Sequence, residues 1–99
     1  MLTKRFFKTK NEAEVTFEYA ADAEQSVELA GEFTEWQPIE MKFVKKDGVY
    51  RTKLRLPVDQ AFQFKYLVDG LEWQNDHAAD HYQGNAFGTE NSVVNTFQA

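Results

Sequence analysis

Along most of the chain, apolar residues return at every second position, the period of a strand with one face buried and the other in water. Val15, Phe17 and Tyr19 share one parity, with Thr16 and Glu18 between them. The flanking Ala and Glu residues suit a helix, but the apolar spacing decides for a strand. Val27, Leu29 and Phe33 continue the pattern, and Gly31 between them marks a bend or bulge. Met41 and Phe43 open a strand that Lys46-Asp47-Gly48 turns back, Asp-Gly being a strong hairpin signal. The returning strand sets Tyr50, Thr52, Leu54 and Leu56 on one face and Arg51, Lys53 and Arg55 on the other, until Pro57 ends it.

Phe62, Phe64, Tyr66 and Val68 form the clearest inward row, and Asp69-Gly70 turns that strand toward Leu71 and Trp73. The stretch from Asn75 to Gly88 is rich in Asp, His, Asn and Gly and reads as a long surface loop. Val93, Val94 and Phe97 belong to a last strand. About seven short strands and no convincing helix predict an all-β fold, an immunoglobulin-like antiparallel β-sandwich.

Composition narrows this further. Ninety-nine residues without repeat, linker or low-complexity tract make one domain, 1–99. Aromatics reach 15%, with 9 Phe, so a small core is filled by large rings rather than held by staples. The absence of cysteine removes disulfides, thiolate nucleophiles and cysteine metal sites together. A net charge of −5 argues against nucleic acid, whose binders need a dominant basic field, but not against an uncharged ligand. The basic start from Met1 to Lys10 has no apolar stretch behind it, so it reads as a solvated leading segment rather than a secretion signal. No apolar run approaches the roughly 20 residues of a membrane helix, and the expected address is cytoplasmic.

An enzyme reading fails on inventory. Ser26 and Ser92 are the two serines, neither in a nucleophile-elbow context, and no Gly-rich phosphate loop is present. Carboxylates fall mostly on outward strand parities, where a charge is a solvated face. The sharpest metal candidate, Asp76-His77-Ala78-Ala79-Asp80-His81, would align two histidines on a helix. It lacks a third ligand at a recognisable spacing, and two surface histidines in a metal-free polar loop are the expectation. No catalytic residue, metal or cofactor is therefore assigned.

Two tryptophans remain. Trp36 sits in an acidic segment closed by Pro38, and Trp73 follows a turn among Glu72, Gln74 and Asn75. One such indole could cap the core. Two, each amid hydrogen-bonding side chains, read better as an exposed stacking platform for a neutral ligand. Lys65 has outward parity on the Phe62–Val68 strand.

At these residues the sequence resembles a known family. Val27-Glu28-Leu29-Ala30-Gly31-Glu32-Phe33-Thr34-Glu35-Trp36 looks like the opening segment of family 48 carbohydrate-binding modules. The stretch Phe64-Lys65-Tyr66-Leu67-Val68-Asp69-Gly70-Leu71-Glu72-Trp73 resembles their second motif, and Phe87-Gly88-Thr89-Glu90-Asn91-Ser92-Val93-Val94 their closing one. These modules include the glycogen-binding domain of AMP-activated protein kinase β subunits and the amino-terminal early-set domains of isoamylases and branching enzymes. The likeness runs over about 26–97 and implies an early-set β-sandwich binding an α-1,4-glucan. By resemblance, Trp36 and Trp73 stack on glucose rings, Lys65 contacts sugar hydroxyls, and Phe87, Thr89 and Asn91 complete the site. The chain departs from the family in an extra residue, Glu72, before Trp73, in Phe87 for the common leucine, and in His77 where proline often stands.

The expected function is non-catalytic binding of glycogen, starch or maltooligosaccharides, with the further possibility of bringing a glycogen-metabolising enzyme to its substrate. The alternative is a protein-interaction domain that docks on such an enzyme in trans. Lys65 with both tryptophans discriminates between them, since an interaction-only domain has no use for that set.

Overall fold

The alternating rows pair into two antiparallel sheets in the computed structural model, which describes residues 1–97. Residues 98 and 99 of the expected domain lie outside the described residues. The first sheet holds β1 (Leu2–Phe6), β2 (Glu12–Ala20), β5 (Lys42–Val44) and β6 (Val49–Pro57), in the order β1-β2-β6-β5. The second is built from β3 (Val27–Gly31), β4 (Ile39–Glu40), β7 (Ala61–Val68), β8 (Glu72–Gln74), β9 (His81–Gly84) and β10 (Glu90–Asn95). Its order is β4-β3-β7-β10-β9, with β8 continuing alongside β7. The immunoglobulin-like sandwich is the observed fold, with ten short strands among the described residues where about seven were expected.

The inward parities meet as the sequence predicts. Val15 and Phe17 from β2 face Leu29, Phe64, Tyr66 and Val94 from the second sheet, all at 0–1% exposure. Phe17 meets Phe64 edge-on at 5.1 Å between ring centroids, and Phe64 meets Tyr66 edge-on at 5.7 Å. Edge-to-face contacts let a few rings fill a thin core, each buried side chain contributing about 1.5–3 kcal/mol of transfer free energy. Tyr50, inward on β6, has its hydroxyl 2.9 Å from the Asp22 carbonyl oxygen, to which it donates.

The chain changes sheets at Met41. Ile39 still pairs with Leu29 in the second sheet, whereas Lys42 pairs with Arg51 in the first. Met41, between them, is buried and donates its N–H to the Val27 carbonyl at 3.0 Å. Both Asp-Gly turns form. Gly48 closes β5 to β6 at φ 63°, and Asp69-Gly70 turns β7 into β8 with φ of 55° and 66°. Such left-handed backbone is open to Gly at no steric cost and to Asp at little.

Four readings are corrected. The amino-terminal segment is not a solvated leader: Leu2 to Phe6 form β1, paired along its length with β2. Its Lys4 lies on the inward parity, and the ammonium group meets Asp80 at 2.6 Å at the sandwich edge. The stretch from Asn75 to Gly88 is not one surface loop, since His81–Gly84 form β9 against β10 and Asp76 is buried. Phe33 does not extend β3 but lies in a 3₁₀ turn, η1 (Glu32–Thr34), and still enters the core, 5.4 Å from Phe17. Phe97 falls beyond β10 and is exposed. Among the described residues no helix is long and apolar enough to cross a membrane.

Candidate functional site

The outer face of the second sheet carries an open groove of about 690 Å³. Trp36, Lys65, Trp73, Phe87, Thr89 and Asn91 all line it. These are the residues singled out in the sequence, and the fold brings the whole set together from four separate segments.

Each arrives for a local reason. Gly31 ends β3 where a Cβ would lie 2.7 Å from the Gln63 carbonyl oxygen, so only glycine lets the strand lie this close. The chain then winds through η1. Phe33 packs inward on Phe17 and on Phe62, 5.9 Å away, and so anchors the turn that displays Trp36 three residues on. The Trp36 N–H donates to the Gly31 carbonyl at 2.8 Å. Trp36 itself has φ 60° and Glu35 has φ 55°, left-handed conformations that cost a bulky L-residue about 1 kcal/mol or more.

Lys65 stands on the floor, opposite Ala30 on β3. It makes no ion pair among the described residues, so its ammonium group is free to donate. Trp73, on β8, pairs with Leu67 and therefore shares the Lys65 face of the sheet. Glu72, the extra residue before it, pairs with Val68 at the start of β8, after a turn in which the Leu71 N–H donates to the Val68 carbonyl at 3.1 Å. Trp36 is 39% exposed, Trp73 47% and Phe87 92%. Three large exposed apolar side chains thus stand around one groove.

Three groove residues carry no signal in the sequence pattern: Glu32, Gln63 and Asn85. Glu32 Oε1 accepts the Gln63 backbone N–H at 2.7 Å, satisfying a sheet donor just past the end of β3. The Asn91 amide donates to Gln63 Oε1 at 2.9 Å. Asn85 bridges Thr89 and Asn91 through its Nδ2, at 2.7 and 3.1 Å.

Beneath the sheet, Asp76 lies at 1% exposure and accepts from the Tyr66 hydroxyl at 2.7 Å and the Ala78 N–H at 2.8 Å. The Met1 amino group also contacts it. Burial, with the Asp76 carboxylate beside it, raises the Tyr66 phenol far above the ordinary range, so it remains a donor. Asp76 is thus a buried anchor and not part of the surface loop expected from its neighbours. His81, on β9, pairs with Val93 instead of sharing a helix face with His77. No group of three or more His, Cys, Asp or Glu residues is placed to hold a metal ion among the described residues.

A family model described as the glycogen recognition site of AMP-activated protein kinase matches residues 13–98. The chain belongs to this family. The match begins at the first inward residue of β2 and runs past the end of β10, so this glycogen-recognition module includes every strand that lines the groove. The family is one of carbohydrate-binding modules, which are non-catalytic. No curated protein matches the chain.

Proposed function

We propose that the groove binds α-1,4-glucans, with the indoles of Trp36 and Trp73 as stacking surfaces and Lys65 as a donor to sugar hydroxyls. The observation that carries this is the meeting of two exposed indoles and a lysine without an ion pair among the described residues in one groove of ligand size. A glucose ring has C–H bonds on its faces and hydroxyls at its rim. Indoles cover the faces, and Lys65, Thr89 and Asn91 give the rim hydroxyls partners in place of water. Phe87 adds a third apolar surface. Two separate stacking surfaces suit a curved α-1,4 chain better than flat cellulose. On this reading the module serves to hold a partner enzyme at glycogen.

Lys65 divides this reading from a protein-docking one. Its outward position leaves the core untouched on truncation, so Lys65→Ala should change stability by no more than about 0.5 kcal/mol. The same change should weaken maltoheptaose binding by roughly 1–2 kcal/mol, the cost of a lost charged donor. Salt should alter the loss little, because the sugar is uncharged. Calorimetric titration of both proteins at low and high salt measures this. Unchanged binding in the variant would remove Lys65 from the site.

A further inference from the structure

The turn from β9 to β10 is built around one side chain. Asn85 Oδ1 accepts the backbone N–H groups of Phe87 and Thr89, at 2.9 and 3.1 Å. A backbone N–H can only donate, so these two bonds fix which end of the carboxamide is oxygen. Nδ2 must then face the other way, where it meets Thr89 Oγ1 and Asn91 Oδ1. All four hydrogen-bonding positions of the Asn85 side chain are used.

The orientation propagates. Because Asn91 offers its oxygen to Asn85, its own NH₂ faces Gln63 Oε1. Gln63 in turn has Nε2 left over, and this group has no protein acceptor among the described residues although Gln63 lines the groove. Thr89 Oγ1 is occupied as an acceptor, which leaves its O–H to donate outward. Two backbone N–H groups therefore decide the polarity of a chain of side chains that ends in donors.

We propose that Asn85 is the positioning residue of the groove: it pins the Phe87 turn and, through Asn91 and Gln63, aims N–H and O–H donors at oxygen atoms of an uncharged polyhydroxylated ligand. This rests on the glucan reading for the identity of the ligand, but the relay itself is a property of the free protein. It gives Lys65 a set of neutral donors beside it, so that the floor selects for ligand oxygens acting as acceptors.

Asn85→Asp separates the two roles. The carboxylate keeps an oxygen for the Phe87 and Thr89 N–H groups but presents a second oxygen to Asn91 and Thr89. Asn91 must then turn its NH₂ toward the carboxylate, Gln63 must reverse to follow, and the Thr89 hydroxyl must point back from the groove. Expected is a melting temperature near that of wild type, backbone amide resonances of Phe87 and Thr89 that remain hydrogen-bonded, and displaced side-chain NH₂ resonances of Asn91 and Gln63. Maltoheptaose affinity should fall about fivefold to tenfold, as donors are withdrawn. Asn85→Ala, which loses turn and relay together, should fall further and expose the Phe87 and Thr89 amides to exchange. Unmoved Asn91 and Gln63 side-chain resonances in Asn85→Asp, or wild-type affinity in that variant, would overturn the proposal. Displaced resonances in a protein whose wild type binds no maltoheptaose would uphold the relay and overturn the glucan reading instead.

Discussion

Replacing either Trp36 or Trp73 by alanine should weaken maltoheptaose binding by about 2 kcal/mol, close to thirtyfold, while the domain stays folded. Both indoles keep more than a third of their surface in water, so neither is a core residue whose loss empties a cavity. Bound glucan would remove that surface from water, and truncation forfeits the gain. The two positions differ in one respect. Trp36 occupies a left-handed conformation that only glycine adopts freely, so Trp36→Gly should abolish stacking yet be at least as stable as Trp36→Ala. Trp73 sits in a strand and offers no such relief. Isothermal titration beside thermal melts checks both. Unfolding by either alanine change would assign that indole to the core.

Phe17→Ala should have the largest effect on stability, a loss of about 3–5 kcal/mol. The ring is fully buried and lies against Phe33 and Phe64, joining the two sheets to the turn that carries Trp36. A domain of this size has roughly 5–15 kcal/mol in total, so the melting temperature should fall by at least about 12 °C. Phe33 would also lose a neighbour, loosening the Trp36 turn. Circular dichroism across temperature measures the fall. A drop under about 4 °C would contradict the placement of Phe17 at the centre.

The residues behind these two predictions were unequally legible in the sequence. Phe17 declares itself through alternation, because a half-buried strand forces apolar residues onto one parity. Trp36 and Trp73 stand out by the opposite rule, as large apolar groups in polar surroundings, and the family motifs add to that. Strand β9 gave no signal. Its four residues are exposed, so it is held by backbone pairing to β10 rather than by a buried row. Strand β1 was masked by Lys4, whose inward position reads as polar although its stem can lie along the core edge while the ammonium group reaches Asp80. Asp76 looked like a loop residue because the partners that make its burial tolerable, Tyr66 and Ser92, are 10 and 16 positions away.

Asn85, Gln63 and Glu32 were invisible for a related reason. Polar side chains in a groove follow no hydrophobic period, and Asn before a glycine-bearing turn reads simply as a turn residue. What distinguishes Asn85 is the direction of its four hydrogen bonds, which depends on the fold of β9 against β10. The resemblance identified Thr89 and Asn91 but not the residue that orients them.

On the proposed function, the groove recognises a curved α-1,4-glucan. A paired titration of the folded domain with maltohexaose and cellohexaose, followed by tryptophan fluorescence, tests it most directly. Expected is saturable binding of maltohexaose with a Kd of about 1 mM to 1 μM, the range of a shallow open site, and no response to cellohexaose at the same concentrations. Equal binding of the two sugars, or no binding of maltohexaose, would contradict it.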